Sequence, residues 1–302
     1  MLKETVMQLD SGRIYRKYEI LFRSLTDLEG YLKSDPKVNG SVFPSQKSIY
    51  MPESFAGAPL KTAIQYCHGG YEYGFSTFLA LKKEFDQVSL KKANYRRSMP
   101  DFVGARPHIP NFIAGTPKTM ARLDRATERK FVRVFINLAY SGNTTEGQIR
   151  HRGILTLNLV NLLEQHHIGV DLYAFEASYL GQEIFLAEVK LKKPGEVINV
   201  GRCYYPLCGK EFVRRVMVRV KESMPFRGDW GVGYGGVLPE KLFRLFVNVG
   251  KNDVVIGSPA DMGIQGEDIF RDADTFFSKL NLSKEIYVPK YVDLTGENYG
   301  KS

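Results

Sequence analysis

The feature that most constrains the fold is a pair of predicted strands with almost nothing between them. The stretches GVDLYAFEAS, starting at Gly169, and EIFLAEVKLK, starting at Glu183, are rich in β-branched and aromatic residues. Only a few residues around Leu180-Gly181-Gln182 separate them. Strands joined by so short a connection pair antiparallel, because a parallel crossover needs about a dozen residues or more. The sheet therefore contains a hairpin.

Strands and helices alternate on both sides of this hairpin. The stretch FVRVFINLA, from Phe131, is β-branched and aromatic and predicts a strand. Thr145 and Gln148 form a capping box that predicts a helix from about Glu146 to Gln165. After the hairpin, apolar patterns predict a helix over about 210–224, a buried strand at DVVIGSP and an amphipathic helix at DIFRDADTFFSKL. The order predicts an α/β fold with a doubly wound, mostly parallel sheet and one antiparallel edge strand.

Composition divides the chain into three regions. Residues 1–90 are predicted to form a small, mainly helical N-terminal region, with apolar helical stripes at about 60–67 and 73–85. Residues 91–130 contain four prolines and two glycines, which favours an extended, turn-rich connector with a short helix after Pro117. Residues 131–302 carry the α/β pattern and are predicted to form one domain.

The sequence predicts a cytoplasmic protein with no membrane partner. No stretch approaches the roughly 20 apolar residues of a membrane span. The first twenty residues carry early acidic side chains and no apolar run of the kind that a signal peptide contains. The three cysteines, Cys67, Cys203 and Cys208, are too few for a disulfide scaffold, so a reducing compartment is expected.

Positive charge is concentrated in one part of the chain. The formal net charge is +9, from 42 basic and 33 acidic residues. Residues 91–130 contain ten basic and three acidic residues, or +7. The remaining residues therefore carry 32 basic and 30 acidic side chains, or +2. A positive field concentrated in this way favours an anionic partner.

Aromatic side chains lie among these cations, and we call residues 91–130 the basic segment. Cations contact phosphates and flat rings stack on bases, so Tyr95, Phe102, His108 and Phe112 make the pattern typical of nucleic-acid binding, to RNA or DNA. The predicted nucleic-acid-binding residues are Lys91, Lys92, Arg96, Arg97, Arg106, Lys118, Arg122 and Arg125. The alternative is a solvated basic connector that wraps around the domain.

The order of elements from Phe131 resembles a von Willebrand factor A-like core, in which the second and third strands form such a hairpin. Members with a working metal site carry Asp-x-Ser-x-Ser after the first strand, a set of oxygen ligands suited to Mg²⁺. The aligned stretch here is Asn137-Leu138-Ala139-Tyr140-Ser141, and the later acid of that site is represented only by Asp261. The resemblance therefore implies a degenerate metal-site loop at Asn137, Ser141 and Thr144. We predict no metal and no cofactor.

The alternative interpretation is that this loop has only a structural role. Asn137 and Ser141 are expected to hydrogen-bond within the loop, and Thr144 or Thr145 is expected to cap the following helix. The loop nevertheless follows a strand of a predicted parallel sheet, where ligands of α/β proteins collect. The N–H groups at the start of the helix could therefore meet an anion.

Other candidate chemistry gives weaker patterns. Cys203 and Cys208 would need two further ligands to bind zinc, and the other candidates, Cys67-His68 and His166-His167, are distant in sequence. Glu176, Glu183 and Glu188 lie on or near the hairpin strands and are candidates for paired acid–base chemistry, but ordinary ion pairs with residues such as Lys190 or Arg133 are expected instead. The glycine-rich stretch 231–236 is not a dinucleotide fingerprint and is interpreted as a flexible surface loop. No catalytic residue is predicted.

A second resemblance covers most of the chain. It depends on AGAPLKTAIQYCHGGY from Ala56, PNFIAGTP from Pro110 with Met120, and CYYPLCGKEFVRRV from Cys203. Together these stretches resemble an uncharacterised family encoded largely by bacteriophages and prophages. The resemblance implies a bacterial host-cell cytoplasm and transfers no catalytic residues, because the family has no assigned activity.

Three functions remain open at this stage. The first is a non-enzymatic binding protein that engages nucleic acid, RNA being one candidate, through the basic segment. The second is an interaction or assembly module that binds a protein or forms a homo-oligomer, with no nucleic acid. The third is a metal-dependent hydrolase or nuclease.

Overall fold

The computed structural model describes residues 2–9, 12–69, 76, 79, 99–101, 106–107, 109–118, 120–122, 131–165, 168–196, 198–231 and 233–280. The strands are β1 (Leu2–Gln8), β2 (Ile14–Phe22), β3 (Met99–Asp101), β4 (Arg106–Pro107), β5 (Met120–Arg122), β6 (Phe131–Asn137), β7 (Gly169–Leu180), β8 (Glu183–Lys192), β9 (Gly236–Val237) and β10 (Val254–Ile256). The helices are α1 (Leu25–Lys33), α2 (Lys47–Tyr50), α3 (Glu53–Ala56), α4 (Leu60–Gly69), α5 (Ile109–Ile113), α6 (Glu146–Gln165), α7 (Val200–Cys208), α8 (Val218–Glu222), α9 (Glu240–Val247) and α10 (Ile269–Lys279). A π-helical turn, Phe212–Met217, leads directly into α8.

The main sheet is mixed and confirms the predicted α/β class. Its seven strands run in the order β1-β2-β8-β7-β6-β10, and β9 pairs with β7. Strand β6 lies parallel to both β7 and β10, whereas β7 and β8 form the predicted antiparallel hairpin. Within the described residues no helix is both long enough and apolar enough to cross a membrane.

The predicted antiparallel edge strand is not at an edge. Strand β2 pairs parallel with β8, and β1 pairs antiparallel with β2, so two further strands extend the sheet beyond the hairpin. Neither β1 nor β2 was predicted from the sequence. The alternation was present, because Tyr18, Ile20 and Phe22 are buried in one hydrophobic cluster while Leu21 between them is exposed.

The N-terminal part shares its core with the α/β part. Leu28 of α1 and Ala63 of α4 belong to the same buried cluster as Ile154 of α6 and Phe185 of β8. Residues 2–69 and 131–280 therefore do not form separate cores, although the sequence analysis divided the chain at residues 90 and 131. Helix α4 confirms the predicted stripe at 60–67, while the second stripe at 73–85 lies outside the described residues except for Ser76 and Leu79.

The basic segment is described only in pieces. Strands β3, β5 and β4 form a small three-stranded sheet, and α5 precedes β5. Residues 120–122 are a strand, so the short helix predicted after Pro117 is wrong at these positions. Proline at positions 100 and 107 suits short edge segments, because proline cannot donate to a continuous ladder.

Helix α6 has the predicted bounds and lies in a buried layer. Its capping box is formed: the Thr145 amide donates to Gln148 Oε1 at 2.9 Å, and the Gln148 amide donates to Thr145 Oγ1 at 3.2 Å. A side chain at Gly153 would overlap Cys208 Sγ and the Leu207 carbonyl of α7. Glycine in a helix interior costs about 1 kcal/mol relative to alanine, and here it allows α6 and α7 to approach closely.

The opposite face of the sheet is covered partly by α9. Phe243 and Phe246 of α9 pack against Phe135 and Phe175 in a second hydrophobic cluster. Farther from α9, Glu188 is half-buried and faces charged neighbours on the same face: Glu19, Lys190 and Asp171. Burial, followed by repulsion from Glu19, raises the pKa of Glu188 to about 7.

We expect Glu188→Gln to stabilise the protein at pH 8 and to have little effect at pH 4. The pKa of Glu188 is about 7 in the folded protein and 4.5 as the ordinary value for an unfolded chain. Between pH 4.5 and pH 7 folding therefore takes up a proton, so the free energy of unfolding falls as the pH rises through this range. The full shift corresponds to ~3 kcal/mol, and solvent screening of a half-buried carboxylate reduces the expected gain to about 1 kcal/mol. Urea denaturation from pH 4 to pH 8 measures it. The exposed control Glu267→Gln should follow the original curve, and parallel curves for all three proteins would contradict the assignment.

Candidate functional site

The loop after β6 is organised by Asn137. Its Oδ1 accepts hydrogen bonds from the amides of Ala139 and Ala177, each at 3.1 Å, and its Nδ2 donates to the Ala177 carbonyl at 3.4 Å. Ala177 lies on β7, so one side chain joins the end of β6 to the neighbouring strand. Ser141 Oγ accepts from the Asn143 amide at 3.3 Å. The prediction that Asn137 and Ser141 hydrogen-bond within this region is confirmed, and Thr145 rather than Thr144 caps α6.

A buried guanidinium joins the ends of two parallel strands. Arg152 of α6 is fully buried, and its Nη1 donates to the Asn137 carbonyl at 2.8 Å and to the Gly257 carbonyl at 3.2 Å. Asn137 ends β6 and Gly257 follows β10. The crevice between such strand ends is where α/β sheets commonly bind ligands. Burial lowers the pKa of Arg152 to about 10, so the group is still charged at neutral pH.

A second guanidinium contacts the same loop from the other side. Arg214, in the π-helical turn, donates from Nη2 to the carbonyls of Gly142 and Thr144 at 3.3 and 2.9 Å. Its Nη1 donates to the Phe55 carbonyl at 2.7 Å. The guanidinium carbon lies 4.0 Å from the centre of the Phe55 ring and 5.3 Å from that of Tyr140, within cation–π range. Arg152 and Arg214 therefore place two positive charges beside the loop after β6.

The acidic residue near β10 has a local role. Asp261 Oδ2 accepts hydrogen bonds from the Ser258 amide at 2.9 Å and from Ser258 Oγ at 2.7 Å. In the part of the chain that the structure describes, no group of three or more His, Cys, Asp and Glu side chains is arranged to bind a metal ion. The start of α6 is also occupied, because a side chain at Gly147 would lie 2.5 Å from the Gly266 carbonyl. An anion therefore has little room at this helix start.

A cleft of about 290 Å³ opens beside the loop. One wall comes from α2 and α3, with Lys47, Met51 and Phe55. The others come from residues 139–142, from β7, from the helical stretch 213–221, and from the glycine-rich loop at 233–237. The cleft thus lies next to the carboxyl end of β6, at an edge where such sheets bind ligands.

A buried ion pair lines the cleft. Lys221 Nζ donates to Glu176 Oε1 at 2.8 Å, to Ser178 Oγ at 2.8 Å and to the Tyr234 carbonyl at 3.0 Å. The side chains of Lys221 and Glu176 are 4% and 5% exposed. Burial lowers the pKa of Lys221 while the Glu176 carboxylate opposes that shift. All three lysine protons thus have acceptors.

The glycine-rich loop is packed, which corrects its interpretation as a flexible surface loop. Gly235 has a φ of +81°, and a side chain there would lie 2.6 Å from the Trp230 ring and 2.7 Å from the Tyr179 carbonyl. Glycine tolerates this left-handed conformation at no steric cost. Gly236 then pairs with Tyr179 on β7. The loop forms a wall of the cleft because two of its glycines let the backbone approach the sheet.

The three glutamates considered for acid–base chemistry are separated. Glu176 pairs with Lys221, and Glu183 accepts hydrogen bonds from Tyr18, Trp230 and the amides of residues 227 and 228. Glu188 lies on the opposite face of the sheet, because strand side chains alternate. Lys190 and Arg133, the partners expected for these acids, pair with Asp171 and Asp253 instead. No two of the three glutamates form a catalytic pair.

The cysteines are buried thiols. Cys67, Cys203 and Cys208 donate to the carbonyls of Ala63, Leu191 and Arg150 respectively. Burial raises the pKa of Cys67 and of Cys203 to about 12, and raises the pKa of Cys208 further. These thiols therefore stay protonated and unreactive at neutral pH. His166 and His167 lie outside the described residues.

Most of the predicted nucleic-acid-binding residues cannot be placed in the structure. Lys118 is exposed after α5, and Arg106 and Arg122 are placed only as backbone in β4 and β5. The remaining five lie outside the described residues: Lys91, Lys92, Arg96, Arg97 and Arg125.

The buried cations of the cleft region were not predicted from the sequence. Besides Arg152, Arg214 and Lys221, Arg215 is buried and donates to the carbonyls of Ser48, Ile49, Met51 and Gly57, which fastens the α2–α3 wall to the core. A signal was present in EFVRRVMVRVK, where basic residues interrupt an apolar helical stripe. Lysine and arginine are almost never fully buried unless they are paired. The apolar residues of this stripe therefore predicted the buried helix face, and its basic residues were expected to be exposed.

Comparisons with known proteins identify one family to which the chain belongs. A family profile described as a domain of unknown function (DUF7192) matches residues 3–284. No curated protein and no solved structure matches the chain.

Proposed function

We propose that this chain, which belongs to the family of domains of unknown function DUF7192, is a non-enzymatic binding protein for nucleic acid. The basic segment is the proposed contact, with RNA and DNA both candidate ligands. We include in the proposal a bacteriophage or prophage origin and a bacterial host cytoplasm. We also include a von Willebrand A-like core, which the strand order β8-β7-β6-β10 with its hairpin supports.

The distribution of charge carries the proposal. Residues 91–130 contribute +7 of the net +9. In the described body, many cations already have acidic partners. Examples of these ion pairs are Lys33–Glu29, Arg133–Asp253, Lys190–Asp171, Lys192–Glu164, Lys210–Glu146, Arg219–Asp35 and Lys221–Glu176. The surplus available to an external polyanion is therefore expected in the basic segment, where the acids are few.

Reversing four charges tests the proposal. We expect Arg96→Glu, Arg97→Glu, Arg122→Glu and Arg125→Glu together to weaken binding to single-stranded RNA, duplex RNA and DNA by about 100-fold or more in a gel-shift and anisotropy panel, with residual binding measurable at low salt. For duplex DNA, the slope of log affinity against log salt should fall in magnitude by about 3 to 4, because each phosphate contact contributes about 0.9.

The matched control reverses the same amount of charge elsewhere. Lys37, Lys61, Lys241 and Lys251 are exposed and belong to the body. Their replacement by glutamate lowers the net charge equally and should leave most of the affinity and the salt slope. Equal losses in both quadruple variants, or unchanged binding at low salt in the first, would refute a role for the basic segment. Cleavage that requires divalent ions would favour the nuclease alternative.

One feature supports the alternative of a homo-oligomer or protein-binding module. Strand β1 pairs only with β2 among the described residues, and Val6 is 60% exposed beside exposed Leu2 and Ile14. An exposed edge with apolar side chains is a template for another strand. Light scattering on nucleic-acid-free protein tests this. A defined oligomer that Val6→Lys dissociates would favour self-assembly, and a monomer would exclude the homo-oligomer.

A further inference from the structure

We propose that β1 pairs antiparallel with β1 of a second copy of this chain, about a two-fold axis that passes between the two Val6 residues. The contact uses the edge of β1 that has no strand beside it in the described part of the chain. It would join the two main sheets into one continuous sheet. The inference is independent of the proposed function, because β1 lies outside the basic segment.

The backbone of β1 presents a regular row of hydrogen-bonding groups at this edge. At the hairpin end the Leu9 amide donates to the Arg13 carbonyl, which fixes the alternation of bonds between β1 and β2. The Arg16 amide, opposite Val6, donates away from β1 to the Gln182 carbonyl. Because the residues of an antiparallel pair alternate in the direction of their bonds, every second residue of β1 directs its amide and carbonyl outward. These residues are Leu2, Glu4, Val6 and Gln8.

The devices with which proteins protect a sheet edge are largely missing from β1. Such devices include very short edge strands, prolines and bulges. Strand β1 has seven residues, and neither a proline nor a bulge interrupts its pairing with β2. At the other edge of the sheet, β10 has only three residues, and Val255 and Ile256 are buried. Val6, by contrast, is 60% exposed. The sheet is therefore closed at one edge and open at the other.

The side chains of β1 suit a second copy of the same strand. A two-fold axis at Val6 places the two valines directly opposite each other, and pairs of β-branched side chains stabilise a sheet in this arrangement. On the same face, Glu4 then lies opposite Gln8, and on the other face Thr5 lies opposite Met7. No like charges face each other. Neighbouring axes are less favourable, because an axis at Glu4 opposes two carboxylates and an axis at Thr5 places each valine opposite a carboxylate.

The acidic side chain of the edge is already neutralised within its own chain. The Glu4 carboxylate lies 3.5 Å from Arg16 Nε and 3.6 Å from Arg227 Nη2. A carboxylate held by two guanidiniums repels the same group of a second copy less than a lone carboxylate does. Lys3 lies on the opposite face of the strand from Val6, because strand side chains alternate. The electrostatics of β1 are therefore compatible with pairing to itself.

Cysteine cross-linking of nucleic-acid-free protein tests the register. With the axis at Val6, the two Cα atoms at position 6 lie about 5.5 Å apart, within the span of a disulfide, and those at position 8 lie roughly 14 Å apart. Under mild oxidation at roughly 100 μM, well above the expected dissociation constant, we expect Val6→Cys to give a disulfide-linked dimer on a non-reducing gel. The matched control Gln8→Cys should stay largely monomeric. Both positions are exposed and the native cysteines are buried, so random collision would cross-link both variants equally.

Opposite charges at position 6 test the contact without a cross-link. Val6→Lys opposes two ammonium groups and Val6→Glu opposes two carboxylates, so each should weaken dimerisation by at least about tenfold. An equimolar mixture of the two variants should restore the dimer, because lysine then faces glutamate. Ile49→Lys, at an exposed apolar position of α2, is the matched control and should dimerise like the original protein. Sedimentation equilibrium measures all four samples. One strand pair is a small interface, so the original protein should dimerise with a dissociation constant on the order of 10 μM.

The outcomes separate this inference from the proposed function. A monomer at about 200 μM, equal cross-linking of Val6→Cys and Gln8→Cys, or no dimer in the mixture of charged variants would each overturn the β1 contact. The variant with the charge-reversed basic segment should dimerise like the original protein. If the original protein dimerises and binds no nucleic acid, the β1 contact stands and the proposed function fails. If a monomer binds nucleic acid, the reverse holds.

Discussion

Replacing Glu176 with leucine is expected to destabilise the protein by about 3–5 kcal/mol, the largest effect that we predict for one side chain. The reason is that Lys221 would remain buried with its charge and without its carboxylate partner, 2.8 Å away in the intact protein. Lys221 would still donate to Ser178 and to the Tyr234 carbonyl, but neither carries a negative charge. Urea denaturation followed by far-ultraviolet circular dichroism at pH 7 measures the loss.

Removing both charges should recover most of that stability. The double variant Glu176→Leu with Lys221→Met removes both charges of the pair at similar volume but leaves Ser178 and the Tyr234 carbonyl without their lysine donor, so it should lie about 1–2 kcal/mol below the original protein. The control is Glu240→Gln, which breaks the exposed pair with Arg244 and should cost no more than about 0.5 kcal/mol. If the double variant were as unstable as Glu176→Leu alone, packing rather than charge would explain the loss.

Arg152→Met is the second large effect, expected at about 2–4 kcal/mol. Methionine fills similar space but leaves the carbonyls of Asn137 and Gly257 without their buried donor. Because these carbonyls belong to the ends of β6 and β10, amide hydrogen exchange should accelerate around both strand ends in addition to the global loss. Urea denaturation and exchange mass spectrometry together test this.

Two variants make the Arg152 result interpretable. Arg152→Lys keeps a charged donor, but the lysine side chain ends one bond short of the position of Nη1, which donates to both carbonyls, so an intermediate loss is expected. Arg23→Met removes an exposed guanidinium and should change stability by less than about 0.5 kcal/mol. A loss for Arg152→Met no larger than that for Arg23→Met would mean that the bridge between the strand ends contributes nothing.

Local signals predicted the parts of the fold that local chemistry determines. The hairpin follows from a short connection, and α6 begins and ends where its capping box and apolar surface predict. The position of β8 in the sheet was mispredicted because β2 pairs with it from far away in sequence. A local sequence pattern predicts that a strand exists, but it does not show which strand forms the backbone hydrogen bonds along each of its two edges.

The contacts of the loop after β6 were predicted from the sequence, whereas the residues that form the walls of the cleft were not. The reason is again that local contacts can be predicted and long-range contacts cannot. Asn137 and Thr145 act within or near their own loop, so their roles could be read from sequence. Lys221 meets Glu176 across 45 positions, and Arg215 meets the Ser48 carbonyl across 167. From sequence alone a lysine or arginine is expected to be exposed to solvent, because an acceptor that is distant in sequence cannot be identified. The cleft, assembled from five separate stretches, was therefore not visible in the sequence.

The two guanidiniums beside the loop after β6 have a consequence for regulation. A positive charge that belongs to an arginine side chain is covalently attached, so neither chelators nor changes in cellular Mg²⁺ can remove it. The carbonyls of Asn137, Gly142 and Thr144 accept hydrogen bonds from donors that the chain itself supplies. Because both arginines belong to helical segments that pack on the core, we expect the support of this loop to form in the same step as the core.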